Sequence, residues 1–457
     1  MSQFGTESPV LSPSERIDQG RALRAQTPRS AHADWQAPAG RRDPIDILEE
    51  SSQGRAPDLI PIRYGRMLAD PFAFLRGSAA VMAHDLASTP ASGIRVQACG
   101  DCHIANFGLF ATPERNLIFD INDFDETLPA PWEWDIKRLA ASFAVVFRNR
   151  GFSEKAGIEA VEALARSYRQ HLAEYATMRV LDVWYSRLDD KMLIDAAPTA
   201  EARKARKRMA AKAQASVAEY LFPKITGVVD GHRRLVDQPP LVFHLPDQGE
   251  LEARLRGMLV TYHDTLPAHL RKLLDHYRYE DFAFKVVGVG SVGTRCFVIL
   301  FMAGDDDALL LQVKEARRSV LEDFAGDSEF SHHGQRIVIG QRLMQSASDM
   351  FLGWTTYPTD GRNYYIRQLR DMKYSPPLDK SDANALARYA AICGWVLARA
   401  HAKGGDAAMI TGYLGKSDVF DKALARFAQT YADQTVRDHA RLAEAVESGR
   451  LPAVLGR

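Results

Sequence analysis

An aspartate stands five residues before an asparagine in Cys99-Gly-Asp-Cys-His-Ile-Ala-Asn106, and the apolar run Asn116-Leu-Ile-Phe119 then empties into Asp120-Ile-Asn-Asp-Phe-Asp125. Those residue types at that spacing suit metal-assisted phosphoryl transfer. One carboxylate must receive or orient the proton of the attacking hydroxyl, an amide oxygen must help hold a metal, and a carboxylate at a strand end must hold it from another side. Asp101, Asn106 and Asp123 fit these three roles, and Asp120 and Asp125 are further metal candidates. His103 is a second catalytic candidate in the same loop, a packed and hydrogen-bonded imidazole being its bland alternative.

Other chemistries compete for the same loop. Cys99-Gly-Asp-Cys-His103 matches the Cys-x-x-Cys-His pattern of covalent haem attachment, which needs an oxidising compartment and an axial ligand. A zinc or redox site would need a second cysteine pair, whereas Cys296 and Cys393 stand alone in apolar segments. An Asp and an Asn in a tight turn also commonly bond only to backbone groups.

A second chemical signature lies far downstream. Phe282-Ala-Phe-Lys-Val-Val-Gly-Val-Gly-Ser-Val-Gly293 runs a strand into Gly288, Gly290 and Gly293. A dinucleotide fold would open a helix there. Thr294 to Phe301 is instead rich in β-branched and aromatic residues and predicts a second strand. A glycine loop between two strands is the kinase device for covering nucleotide phosphates. After the turn Gly304-Asp-Asp-Asp307, a third strand, Ala308 to Ala316, carries Lys314 where a phosphate-contacting lysine belongs. Glu315, Glu322 and Glu329 are the candidate partners for it.

Other elements must position these groups. Pro71 to Leu86 predicts an amphipathic helix whose Arg76 could reach a phosphate or lie along the surface. Gly93 to Cys99 predicts a strand, and Phe107–Phe110 and Asn116–Phe119 two more joined through Thr112–Arg115. Trp132 begins a helix with Asp135 in its first turn, placed to complement the helix dipole or to brace the acidic loop. Helices follow over 154–171 and 200–220. The basic run Arg203 to Arg208 has no interleaved aromatics and reads as a solvated helix face. Beyond Lys314 we expect a helix at 332–346, strands at 349–357 and 363–369, a connector at 370–377, and helices at 381–401 and 419–446. Residues 1–60, rich in Ser, Pro, Arg and Gly, read as a tail or strap.

Composition sets outer bounds. A chain of 457 residues exceeds one comfortable core, so two lobes or several domains are expected. Lys plus Arg and Asp plus Glu both number 58, which gives no global attraction to nucleic acid or an acidic membrane. Four cysteines make no disulfide framework, and no signal-type or spanning apolar segment is visible, so a cytoplasmic enzyme is expected.

Lys314 and the glycine loop follow the acidic loop by almost 190 positions, the reverse of kinase order. The helix ending at His401 resembles one that leads into a kinase catalytic loop, yet position 411 is Thr where Asn is needed. A circularly permuted chain accounts for both facts, since termini commonly lie close together. Arg63-Tyr-Gly-Arg-Met67, Pro71-Phe-Ala-Phe74, Asn122-Asp-Phe-Asp-Glu-Thr127, Trp132-Glu-Trp-Asp135 and Lys137-Arg-Leu139 resemble domain of unknown function family 2252, a group of bacterial proteins with no assigned activity. Gly100-Asp-Cys-His-Ile-Ala-Asn106 is in addition similar to the Gly-Asp-x-His-x-x-Asn loop of aminoglycoside phosphotransferases and choline kinases, although Cys99 replaces a usual His.

The resemblances imply an α+β, two-lobed, kinase-like fold in permuted order, a small antiparallel β lobe beside a larger helical one. The expected divisions are 1–60 as strap, 61–250 with the catalytic loop, 251–378 as nucleotide lobe, and 379–457 completing the helical lobe. They further imply ATP and Mg²⁺ as cofactors and an acceptor of unknown identity, with no nucleic-acid or membrane partner. The alternatives are a catalytically silent nucleotide- or partner-binding protein and, with the same parts, nucleotidyl transfer.

Overall fold

Four short strands frame the acidic loop. Strand β1 (Arg95–Ala98) enters it, β2 (Phe107–Ala111) leaves it, and β3 (Leu117–Ile121) returns antiparallel to β2 with Gly108 opposite Asp120. Strand β4 (Leu128–Pro131) then pairs with β1, so both ends of the segment are tied by backbone. The helix Trp132–Asn149 starts directly after β4 and drives its apolar face into the large core. This is a computed structural model that describes residues 11–216, 218–239, 241–245, 249–286, 288–369 and 372–455.

The remaining strands build the second part of an α+β molecule. After the hairpin β5 (Thr226–Val229) and β6 (His232–Leu235) come β7 (Val242–Phe243), β8 (Arg278–Lys285), β9 (Cys296–Met302), β10 (Ala308–Ala316), β11 (Gly353–Thr356) and β12 (Asn363–Gln368). The last six form one antiparallel sheet in the order β11-β12-β10-β9-β8-β7.

Side-chain alternation assigns each face of the sheet. Phe297, Ile299 and Phe301 of β9 pack with Leu255, Met258 and Tyr262 of the helix Gly249–Thr265. Val298, Leu300 and Met302 pack with Phe222 and Leu235 on the other side. A strand buried on both faces shows no polar alternation, hence the unbroken apolar run in the sequence. On β10 the same period of two sends Leu311 and Val313 into the first core and turns Gln312 and Lys314 the other way, where the face continues as a cavity wall.

The helical part packs around the helices Trp132–Asn149, Glu154–Tyr175, Ala383–Gly404 and Val419–Glu447. Trp132 is fully buried and stacked on Tyr168 at 5.7 Å, which makes it a core anchor. The helix His333–Met344 links the two parts, lying against β11 and β12 on one side and Ala383–Gly404 on the other. Among the described residues no helix is long and apolar enough to cross a membrane.

Several elements differ from expectation. The helix predicted over 71–86 is broken at Ser78 into Pro71–Gly77 and Ala79–Ala87, which lets Gly77 back against Met67 and offer its carbonyl to Arg63 at 2.9 Å. Helices Pro13–Ala22 and Pro44–Ser52 arise where periodicity was weak, and Ile45, Ile47 and Leu48 are buried against Tyr64, Phe74 and Leu442. The strand expected at 349–357 shortens to Gly353–Thr356. The helix expected at 200–220 is the pair Ala200–Gln214 and Ala218–Ile225, residue 217 lying outside the described residues. The connector 370–377 begins on two residues outside them, and its Tyr374 exchanges backbone hydrogen bonds with Leu109 at 2.8 and 3.0 Å.

Candidate active site

The acidic loop is held from behind. Gly100 has φ +83°, and a Cβ there would stand 2.4 Å from the Glu126 carbonyl oxygen, so the turn requires glycine. Asp135 accepts the Cys99 and Gly100 N–H groups at 2.8 and 3.0 Å and is itself bonded by His401 Nε2 at 3.2 Å. The loop then closes on itself: the Asp101 carbonyl accepts the His103 N–H at 2.9 Å and Asn106 Nδ2 at 2.6 Å.

Asp101 is gripped on one side only. Arg138 donates its Nε to Oδ1 at 2.6 Å, and a second guanidinium nitrogen reaches the same carboxylate. Oδ2 accepts no hydrogen bond from a described residue, and Asp101 lines a cavity of about 180 Å³. His103 Nε2 is 3.8 Å from Oδ2, too far for a hydrogen bond, and its Nδ1 is buried without a partner. Burial pushes the imidazole down to about 3, and although Asp101 opposes this, Arg76 and Arg138 reinforce it. His103 is therefore neutral at physiological pH.

The three clustered aspartates have three different surroundings. Asp120 is fully buried, accepts Arg399 at 2.7 and 3.0 Å and the N–H and hydroxyl of Ser346 at 2.9 and 2.8 Å, and lines neither cavity beside Asp101 or Lys314. With its lone pairs engaged away from the cavities, Asp120 serves packing. Asp125 accepts Lys314 Nζ at 2.8 and 3.1 Å, Tyr365 Oη at 2.7 Å and Ser291 Oγ at 3.3 Å. Asp123 lines both cavities and accepts one long bond from the Asp125 N–H, at 3.3 Å. Burial disfavours its ionised form, yet Lys314 and Arg367 outweigh that and hold the carboxyl below its ordinary range.

The downstream glycine loop and lysine meet this cluster. Lys314 is buried with its ammonium on Asp125, across 189 positions of sequence; burial opposes its charge, but Asp123 and Asp125 hold it protonated. Gly288 borders both cavities, Gly290 and Asp101 the smaller one. Gly293 has φ +89°, a turn conformation that suits glycine, and its carbonyl accepts the Ala56 N–H at 2.8 Å. Arg55 donates to the carbonyls of Gly290 and Val292, fixing the loop to the N-terminal segment.

The larger cavity, about 460 Å³, lies between β10, β12 and the tip of the β2–β3 hairpin. Arg115, Lys285, Lys314, Arg367 and Lys373 face Asp123 and Asp349 across it. That volume and that cationic excess suit a small polyanion. For a magnesium ion, the fit rests on oxygen chemistry: Asp123 is an ionised carboxylate with one weak internal bond, and Asn106 commits its Nδ2 inward and leaves its Oδ1 for a ligand. Both are hard donors in a hexacoordinate cation's range of types, whereas Asp120 and Asp125 are occupied.

Comparison with known proteins adds one finding. The profile of a family described as an uncharacterized protein conserved in bacteria, DUF2252, matches residues 55–445. The chain belongs to the DUF2252 family. No curated protein and no solved structure gave a significant match. Asp101, Asn106, Asp123, the glycine loop and Lys314 all fall inside the DUF2252 match, while the helices Pro13–Ala22 and Pro44–Ser52 precede it.

Some members of this DUF2252 site escaped sequence reasoning. Arg138, in the quoted Lys137-Arg-Leu139, orients Asp101. Arg336, buried on the helix His333–Met344, donates to the carbonyls of Thr127, Asp125 and Arg317 and staples the acidic turn to β10. Tyr365 and Arg367 stand opposite Lys314 and Gln312 across the β10–β12 register, and their alternation on a strand ending at the connector was the available signal. Cys99, Cys102 and Asp135 bring ligand atoms within 4.8 Å of one another. Asp135 is already bonded three ways, and both sulfurs are fully buried, so neither is exposed for covalent haem attachment; burial also raises both thiols.

Proposed function

We propose that this protein is an ATP- and Mg²⁺-dependent phosphotransferase on a kinase-like, circularly permuted scaffold. The observation that carries it is the meeting of two remote motifs: Gly288 of the glycine loop and Asp123 line both cavities, Lys314 the larger and Asp101 and Asn106 the smaller, and Lys314 is bonded to Asp125 of the acidic turn. The sheet supports it too, with a glycine loop between β8 and β9, the lysine on β10, a helix next, and two strands ending at a connector beside the cavity.

Roles follow from position. The nucleotide would lie in the larger cavity with its phosphates toward Lys314 and Gly288. Asp123 and Asn106 would hold Mg²⁺, which supplies neutralisation of charge on the transferring group. Asp101, steered by Arg138 through Oδ1, presents Oδ2 to the acceptor hydroxyl and takes its proton. The neutral His103 packs behind that carboxylate.

A second reading, nucleotide binding without turnover, draws on the Lys314–Asp125 pair. The helix His333–Met344 carries no glutamate to partner the lysine, so the cation is held by the acidic turn instead. Calorimetry and a phosphate-release assay separate the two. Wild type should bind ATP with Mg²⁺ and turn it over, and Asp101→Ala should lose turnover by about 10²-fold or more while still binding. Binding without turnover in both proteins would establish the silent reading, and no binding at all would remove both.

A further inference from the structure

Arg76 is the last-turn cation of the helix Pro71–Gly77 and stands at the wall of the smaller cavity together with Asp101, Asn106 and Asp123. It makes no hydrogen bond or ion pair with any described residue, its Nε is buried without a partner, and its one recorded contact is the face of Phe72 at 5.9 Å. Neighbouring cations are spoken for: Arg138 is on Asp101, Lys314 on Asp125, Arg55 and Arg63 on carbonyls and serine hydroxyls. Arg76 is half-buried, with its Nε shielded from water and its terminal nitrogens open at the cavity wall, so a ligand there would complete donors that no described residue engages.

Two features fix where that ligand sits. Arg76 shares the smaller cavity with Asp101 and Asp123, and both bear on its charge electrostatically, as Asp70 does. The tip of the glycine loop packs against the Arg76 backbone, where a Cβ on Gly290 would stand 2.8 Å from the Arg76 carbonyl oxygen. Asp123 and Gly288 line both cavities, so a nucleotide seated in the larger one would present its terminal phosphoryl group across that shared wall, toward Arg76, Gly290 and Asp101.

We propose that Arg76 is a built-in phosphoryl clamp, a guanidinium supplied by the chain itself that binds the γ-phosphoryl group of ATP and stabilises it during transfer. The inference rests on the phosphotransferase reading above. In the step it serves, the acceptor oxygen bonds to the γ-phosphorus as the bond from that phosphorus to the β–γ bridging oxygen breaks. The electron pair of the broken bond stays with ADP, and the acceptor proton passes to Asp101. Arg76 gives and takes no proton. Its fork supplies donors to equatorial oxygens, where transition-state charge is spread.

The test compares ATP with ADP, each with Mg²⁺, by calorimetry on the full chain. A charge-assisted contact to the γ-phosphoryl group should give the wild type about a tenfold or greater preference for ATP. Arg76→Gln should abolish that preference and leave ADP affinity within about twofold, and Arg76→Lys should recover part of it. Because Arg76 has no hydrogen-bond or ion-pair partner among the described residues, the Gln variant should keep the wild-type melting temperature, and the ADP measurement verifies that its site is intact. Equal binding of ATP and ADP by wild type, or an ATP preference that survives in Arg76→Gln, overturns the clamp while sparing the phosphotransferase. Failure of wild type to bind either nucleotide overturns both.

Discussion

Burial settles the charge state of His103, and this has a measurable consequence for stability. Its folded-state value of about 3 lies below the ordinary 6.5 because desolvation outweighs the pull of Asp101. Between those two pH values the unfolded chain binds a proton that the folded chain refuses, so this residue's contribution is constant above about pH 6.5 and is lost as pH falls toward 3. The slope it adds approaches about 1.4 kcal/mol per pH unit. His32, also lowered to about 3 mainly by burial, acts in the same sense. Urea titrations at several pH values should show His103→Gln losing stability less steeply than wild type between pH 6 and 4. Parallel curves would mean that the imidazole charges inside the folded protein. Residue types also explain the limits of sequence reading here. The turn holding Asp101 and Asn106 is local and legible in the spacing, whereas the expected glutamate partners of Lys314 lie close in sequence and its partner is Asp125, 189 positions away.

At the scale of elements, the acidic loop depends on one helix terminus. Asp135 sits in the first turn of Trp132–Asn149 and satisfies two loop N–H groups that are otherwise buried. Asp135→Ala would leave both unpaired at a cost of roughly 2–5 kcal/mol. The expected signature is a loss in denaturant midpoint together with faster amide exchange at Cys99 and Gly100. A loss without faster exchange there would place the cost on His401 instead. The strands were the most legible elements: β2, β3, β9 and β10 fall where alternation or β-branched runs placed them. The helix Gly249–Thr265 and the hairpin β5–β6 also carry local signals, a stripe of Leu251, Leu255, Met258 and Tyr262 at helical spacing and the Asp230-Gly231 turn between Val229 and His232, although neither bears on the two chemical motifs. The break at Ser78 falls on the Gly77-Ser78 pair, a local signal for a kink, and Met67 and the Arg63 bond to the Gly77 carbonyl fix it there.

For the whole molecule, the N-terminal segment ties remote parts together. Arg41 bonds Asp85 at 2.7 Å through two nitrogens and Asp438 at 2.8 and 2.7 Å, joining the segment to the helix Ala79–Ala87 and to the long helix Val419–Glu447. Burial opposes the charge on Arg41, but the two carboxylates keep it protonated. Both aspartates are nearly inaccessible, so removing the cation strands two buried carboxylates, a loss of about 3–5 kcal/mol. Ile45, Ile47 and Leu48 add apolar burial, and Arg55 holds the glycine loop through Gly290 and Val292. The family match begins at residue 55 and so omits Arg41, Ile45, Ile47 and Leu48. A chain cut to 55–445 should therefore melt well below the full chain or fail to fold, since total stability of a domain is only about 5–15 kcal/mol. Arg41→Ala separates the ion cluster from the apolar contribution and should by itself lose about 3–5 kcal/mol in chemical denaturation. A shortened chain that melts with the full-length protein would show that the segment merely covers the surface, and that the glycine loop holds its position without it.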